Sequence, residues 1–387
     1  SQMAEIVAAA AAVHAPQLLS RPPHENLAKL DASTDALRAF GEVLDETGPD
    51  AVILIGLDHL ETFWLEAVPT FTMVVSEEAD MRYTGRRKRV PVATDLAVGL
   101  LKGLVRRDFD LTYSQEAVLG HAFLTPAQYI LEDRRIPIVP LLVNCYLPPL
   151  PSPRRCYALG QAMAEVLAER PERVAVIASG GMSHYPGTSK YFEPNVTFDE
   201  WVIAETRAGR YERLLDLTPE QLDEVGENEL LTWFVLLGML GGAPGTLLTY
   251  QATAHHGHGV VQFVPPIAPA EERDGAPEPV PYGGQRPTAD DYVHYRFPEP
   301  SSFALNKLLH TLIEDAGTRV AFIRDRAAVI TGAGLSETEA AALHGESFTD
   351  LVDLGAHPLL ALSARQVVEI EARAQKMETR VQEEAIS

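Results

Sequence analysis

The sequence of 387 residues predicts an α/β fold: a first domain with a mainly parallel central sheet flanked by helices, followed by a small all-helical C-terminal domain. Three observations lead there. Over the first two thirds, short apolar β-type runs alternate with longer helical patterns, the signature of a layered α/β architecture. From Pro265 to Pro300 the composition then changes abruptly, with nine prolines and no hydrophobic periodicity. That reads as a linker or a long covering arm. Beyond it only helical periodicities remain, in a piece small enough to be marginal on its own.

The strands expected in order are Ile6–Val13, Ala51–Ile55, Phe71–Val75, Ile136–Val143 and Val174–Ala178. Helical patterns lie between them at 24–46, 94–107, 124–132, 155–169 and 229–240. Gly48-Pro49 closes the first of these, and Pro126 suits the first turn of the third. Residues 230–248 are apolar enough to suggest a membrane span, yet they hold four glycines and Pro244 after position 236. A buried helix followed by a turn is the better reading, and no transmembrane segment is expected. In the tail, Phe303–Ile313 is an amphipathic helix, with further helical patterns at 317–331, 336–344 and 363–384. No internal repeat is found.

With 32 basic and 54 acidic residues the formal charge is −22. Such a balance argues against a protein that tracks nucleic-acid phosphates, which needs basic surface to displace counterions. Cys145 and Cys156 supply neither a disulfide framework nor a cysteine-rich zinc site. The start, Ser1-Gln2-Met3, shows no basic region or cleavage signal of a secretory leader. A cytoplasmic location is therefore expected.

The chemistry concentrates at three histidines in equivalent places. His14 follows Ile6–Val13, His59 follows AVILIGLD, and His184 follows VAVIASGGMS. In an open parallel sheet, side chains just past the carboxyl ends of the strands converge on one crevice, where ligands bind. Each taken alone also suits a loop histidine bonded to backbone. Gly180, Gly181 and Gly187 around His184 allow unusual backbone and close approach of a substrate. Glu224 and Glu227 read as carboxylates favoured at a helix start. Glu229 differs, because it lies in a run that is otherwise buried, and a buried carboxylate is costly unless paired or bound to metal. Two neutral imidazoles and one carboxylate would form such a metal site. Asn144, after Ile136–Val143, is placed either to bond a substrate or to form a turn. The basic run Arg82, Arg86, Arg87, Lys88, Arg89 reads as a charged loop, either solvated or steering an anion. In HHGHG at 255–259, His256 and His258 suit either a substrate-lining loop or a solvent-facing turn.

VHAPQL around His14, GLDHLETFW around His59, SGGMSHYPG and GENELLTW together resemble the class III extradiol ring-cleavage dioxygenases, the protocatechuate 4,5-dioxygenase β-subunit type. The resemblance implies His14, His59 and Glu229 as ligands of Fe(II), with His184 as the acid/base residue. It makes His121, in LGHAFLTP, a further catalytic-site histidine, although Gly120 stands where many relatives have an aspartate. The tail, from FALNKLLHTL to LGAHPLLALSAR, resembles the small helical α-subunit of the same enzymes, fused as in gallate dioxygenase relatives. The expected organisation is thus a catalytic iron domain at 1–265, a proline-rich arm at 266–300 and a helical lid at 301–387. Meta cleavage of a small catechol-type aromatic by O₂ is the expected reaction, in a homodimer with neither nucleic acid nor membrane as partner. Two alternatives stay open: a zinc or other metal protein of this fold without ring-cleaving activity, and a relative that cleaves aminophenols or hydroxypyridones.

Overall fold

A computed structural model describes residues 5–264, 287–345 and 347–386. Residues 1–4 and most of the proline-rich stretch, 265–286, lie outside the described residues, so the readings made there stay expectations. The chain divides into two compact units, one of residues 1–184 and 192–293, the other of 185–191 and 294–387.

In the first unit, β1 (Ile6–Ala12), β2 (Ala51–Leu57), β3 (Phe71–Val74), β6 (Thr112–Ser114), β8 (Ile138–Val143), β9 (Val174–Ser179), β10 (Thr246–Ala252) and β11 (Gly257–Phe263) form one sheet in the order β10-β11-β1-β9-β2-β8-β3-β6. The centre, β1-β9-β2-β8, is parallel throughout. Its strands are buried along nearly their whole length, as expected where both faces of a sheet are covered. Register aligns the exits: Ala12 lies opposite Ser179, Ile55 opposite Ala178 and Leu57 opposite Val143. Four turns therefore leave the sheet at one edge.

The expected helices of this unit lie close to Leu27–Thr47, Thr94–Val105, Pro153–Ala168 and Leu230–Met239, with informative departures, while Val196–Ala208, which carries Asp199, is a helix the periodicity did not reveal. The helix expected at 124–132 starts earlier, at His121, and Pro126 sits at its end, where a π-type turn Ala127–Leu131 follows. Leu230–Met239 is a helix buried at every position, followed by Gly241 and Gly242 at positive φ, which turn the chain. No helix among the described residues is long and apolar enough to cross a membrane. This helix crosses Pro153–Ala168 at very short range. A Cβ at Gly160 would lie 2.0 Å from the Val235 carbonyl oxygen, and one at Gly238 would lie 2.0 Å from that of Tyr157. Each burial of a Leu or Phe here contributes about 1.5–3 kcal/mol, so the two glycines let a large apolar surface close without a gap.

The basic run is not a loop. β4 (Glu78–Tyr83) and β5 (Arg86–Pro91) form an antiparallel hairpin joined in parallel to β7 (Val118–Leu119). Ala79 and Met81 are buried between charged neighbours, a period of two that the charges obscure in the sequence. Arg82 and Arg87 both bond Asp80, and Lys88 Nζ donates to the carbonyls of Ala127 and Glu132. Most of this charge is thus already engaged.

The second unit is helical: Phe303–Glu314, Ala316–Arg324, Arg326–Gly332, Glu337–His344, Phe348–Asp353 and Pro358–Ile386. The pattern expected at 317–331 is two helices, because Asp325 caps the second by accepting the Ala328 N–H. Its core holds Leu305, Leu309, Leu312, Phe322 and Leu360. Asn306 ties the ends together, donating to the carbonyls of Ser302 and Gly355 and accepting the His357 N–H.

Candidate active site

Parallel neighbours β1, β9 and β2 deliver His14, the 180–184 segment and His59 to the same edge of the sheet. The turn after β2 is fastened by Asp58, whose carboxylate accepts the N–H groups of Glu61, Thr62 and Phe63 at 2.8–2.9 Å. Burial pushes the Asp58 carboxyl up to about 6 in spite of those bonds. Leu60 takes a left-handed conformation (φ 60°), a costly state for a branched residue. His121 opens its short helix, and the Thr125 hydroxyl of that helix donates to the His14 carbonyl.

Glu229 comes from the start of the Leu230–Met239 helix and lies at the centre. Its Oε1 is 3.0 Å from His14 Nε2, while its Oε2 is 3.2 Å from His59 Nε2 and 3.1 Å from His184 Nε2. Tyr146 donates its hydroxyl to Oε2 at 2.6 Å, and the Gly181 amide donates to Oε1 at 2.7 Å. Burial alone would raise the Glu229 carboxyl, yet His14 and His184 hold it well below the usual range.

The tautomers follow from the other ring nitrogens. Ser179 spends its hydroxyl proton on the Ala122 carbonyl, so its Oγ accepts from His14 Nδ1 at 2.9 Å. His184 Nδ1 donates to the Met182 carbonyl at 2.8 Å. His59 Nδ1 faces Glu61 Oε1 at 3.4 Å. With the protons of His14 and His184 on Nδ1, two Nε2 lone pairs converge on the carboxylate, an arrangement that needs positive charge among them, and His59 supplies it by hydrogen-bonding Glu229 Oε2 through Nε2 at 3.2 Å. His14 Nε2 accordingly approaches Glu229 without forming a directional hydrogen bond. Burial lowers His14 to about 4, leaving it neutral, the form that binds metal. His59 is lowered by burial but raised more by Glu229 and Glu61, to about 9. That proton is the one a cation at Nε2 would displace. The donor set therefore fits a metal ion. The ligand atoms of His14, His59 and His121 also lie within 4.8 Å of one another, so His121 competes with Glu229 for the third place. Its Nδ1, however, lies 2.7 Å from Glu61 Oε1, off the ring's hydrogen-bond axis.

The remaining expected residues divide. His256 stacks on His184 with ring centroids 3.8 Å apart, and His258 packs edge-on behind it. Both are buried, so the solvent-facing turn is ruled out; Gly257–Phe263 is a strand, whose pairing with β1 buries the motif. Burial lowers His256 well below its ordinary value and His258 to about 3. Asn144 takes the turn-forming role, its side chain both donating to and accepting from the Leu147 backbone. Gly180 and Gly181 make room for the protein's own groups: a Cβ at Gly181 would lie 2.2 Å from His256 Nε2, and one at Gly180 2.6 Å from the Glu229 carbonyl oxygen. Gly187, at positive φ, belongs to the other unit.

Several neighbours escaped the sequence reading. Tyr146 lies between His184 and Glu229, Ser179 orients His14, and Tyr83 of β4 packs on His121 at a centroid distance of 5.0 Å. Ser179 ends an apolar strand and Tyr146 closely follows one, the same signal that marked the histidines, whereas Tyr83 ends the charged strand β4 and carries no such signal. Glu227 was read as a helix-start carboxylate, but it is wholly buried beside Asp199. Glu224, read the same way, instead ends the helix Pro219–Glu224, and its carboxylate accepts the N–H groups of Thr288 and Ala289 outside any helix.

Comparison with known proteins bears on this geometry. Residues 8–263 match the family described as "Catalytic LigB subunit of aromatic ring-opening dioxygenase". A "2,3-dihydroxyphenylpropionate/2,3-dihydroxicinnamic acid 1,2-dioxygenase" of Comamonas testosteroni is 28% identical over 194 residues, 49% of this chain and 60% of the relative. One of the same name from Burkholderia vietnamiensis is 32% identical over 170 residues, 43% of this chain and 52% of that protein. A "Gallate dioxygenase" of Pseudomonas putida is 27% identical over 269 residues, 66% of this chain and 78% of the relative. The chain thus spans about half the length of the first two relatives.

Proposed function

Since the chain belongs to the family of catalytic subunits of aromatic ring-opening dioxygenases, we propose that it cleaves a catecholic ring in the extradiol sense with O₂, using ferrous iron held by His14, His59 and Glu229. The observation that carries the proposal is the convergence of three imidazole Nε2 atoms on one buried carboxylate at the carboxyl edge of a parallel sheet. Two neutral imidazoles and a carboxylate are the donor set of non-haem iron oxygenases. When bound there, iron supplies a point that gathers two adjacent substrate oxygens and O₂ and passes electron density between them.

The protein's own residues handle protons and position. His184, with its Nδ1 proton fixed on Met182, offers Nε2 to a substrate hydroxyl as base and can later return the proton. Tyr146, bonded to Glu229 and 3.3 Å from His184 Nε2, fixes the direction from which that proton comes. His256, stacked on His184 and kept neutral by burial, holds the ring without adding charge. His121 and Tyr83 offer a polar edge on the other side. Relatives named for 2,3-dihydroxyphenylpropionate and for gallate support an aromatic with adjacent hydroxyls as substrate. The lid role of residues 301–387 belongs to this proposal on the sequence resemblance alone.

Anaerobic loading with Fe(II), then addition of a catechol panel in air-saturated buffer, should give O₂ uptake and a coloured ring-opened product. His184→Gln should keep its iron while kcat falls by about 10²–10⁴-fold, the worth of a positioned acid/base. Loss of iron in that variant, or turnover by iron-free protein, would overturn the assignment.

A further inference from the structure

The mechanism above gives no part to Glu61, yet the chain is bent to deliver it. Asp58 clamps the amides of residues 61–63, and Leu60 between His59 and Glu61 is held left-handed. His59 and Glu61 thereby reach the same place. The rings of His59 and His121 stack with centroids 4.0 Å apart and planes 21° from parallel. Their Nδ1 atoms lie 3.4 Å and 2.7 Å from one oxygen, Glu61 Oε1, within ion-pair reach although neither contact is a directional hydrogen bond. Gly120, next to His121, completes the arrangement. A Cβ at position 120 would lie 2.6 Å from the Glu61 carboxyl carbon and 2.6 Å from its Oε1. Its φ of −92° is open to any residue, so what a side chain at position 120 would meet is the Glu61 carboxylate, which would have to move out of its present place.

We propose that Glu61 is a positioning residue for His59 and His121, acting through their Nδ1 atoms, and that position 120 is glycine because the Glu61 carboxylate fills the room of its side chain. A carboxylate this close to both Nδ1 atoms favours, by its charge, a proton on that side of each ring when Nε2 turns to a ligand or substrate, the role carboxylates play beside metal-bound histidines elsewhere. The carboxylate serving this pair reaches it from the turn after β2 and not from the residue before His121. The roles of His59 and His121 rest on the function proposed above; the geometry linking them to Glu61 does not.

A reciprocal pair of substitutions tests this. Glu61→Ala should raise KM and lower kcat/KM by about 10–100-fold, the usual effect of losing such a partner, with the melting temperature little changed. Glu61→Gln, which keeps an acceptor oxygen, should fall between Glu61→Ala and the wild type. Gly120→Asp alone should be harmful, since it collides with Glu61 and places two carboxylates together. In the Glu61→Ala background the same Gly120→Asp should instead restore activity, because a carboxylate returns to the vacated space. A structural role for Glu61 would not reverse the sign of the Gly120 effect. Nitrogen-15 histidine spectra of the metal-free protein should show His121 as a neutral Nδ1–H tautomer, a signal that Glu61→Ala loses independently of turnover. Equal harm from Gly120→Asp in both backgrounds, or unchanged imidazole signals in Glu61→Ala, would overturn the proposal. Intact signals and a sign reversal in melting temperature, with no turnover by the wild type on any catechol, would count against the enzymatic reading and not against the positioning role.

Discussion

Glu227 and Glu229 stand two positions apart and are both 0% exposed, but their surroundings drive them in opposite directions. Glu229 meets His14, His59, His184, the Tyr146 hydroxyl and the Gly181 amide, and is held ionised. Glu227 meets Asp199, and burial with that neighbour pushes its carboxyl well above the ordinary range. Asp199 is raised as well, chiefly by burial. The proton belongs on Glu227, because Asp199 already accepts from the Ser183 amide and the Tyr250 hydroxyl whereas the Glu227 oxygens find no donor. One carboxylate is thus a centre of negative charge ringed by imidazoles; the other is a neutral acid that helps hold the Ser183–His184 segment through its partner. Burial sets the cost of a charge, and the neighbours decide whether it is met.

The comparison is broken most forcibly at Glu229. Glu229→Gln should abolish iron retention and turnover together, measured by metal content after gel filtration and by O₂ uptake; retention of stoichiometric iron would move the third ligand to His121. Ser179→Ala tests whether the imidazole side of the site is oriented as deduced. Without its Oγ, His14 is free to place its proton on Nε2, and iron affinity should fall by about 10–100-fold in an anaerobic titration. An unchanged affinity would show that the tautomer is fixed by other groups.

Glu227→Gln should have the smallest effect, since an amide replaces an acid that is already neutral. Iron content should be unchanged. The two sites also differ in the sign of their pH dependence. A carboxyl raised in the folded protein contributes stability that is present below its ordinary value, 4.5 for Glu227, and lost as pH rises through the folded value. A depressed one, Glu229, contributes above 4.5 and loses that contribution as pH falls through its folded value. Melting temperatures of metal-free Glu227→Gln should therefore decline less between mildly acidic and alkaline pH than those of the wild type. An identical decline would place the proton elsewhere.

Much of the framework was legible because burial on both faces writes itself into a strand as an unbroken apolar run. β1, β2, β8 and β9 were read that way, and the polar residue ending each run marked the edge where chemistry gathers. Glu229 was visible as a charge inside an apolar helix. Glu227 had the same surroundings but was assigned to a helix dipole, because nothing in the local sequence shows that Asp199, from a separate helix, would lie against it. The same holds for Ser179 and Tyr146, whose importance is a pairing across distant chain positions. The β4–β5 hairpin was hidden because its inward residues, Ala79 and Met81, are few and its outward ones are charged. HHGHG left two readings open because the local sequence does not show that β1 and His184 bury it, and that burial removes only the solvent-facing turn.

The separation of the proposed ligands along the chain has a consequence for assembly. His59 and Glu229 are 170 residues apart, and the unfolded chain does not hold them together at any useful concentration. Nearly all of the affinity for a metal is then created by closing the first unit, and the ion has little influence on the route to the folded state. Whatever stabilisation the ion contributes goes to the finished structure alone, about 2.7 kcal/mol at a free concentration one hundred times its Kd. Metal uptake in such a protein becomes the last event of maturation, and an occupied site is a certificate that the sheet, the helix behind it and the turns at its edge have all been completed.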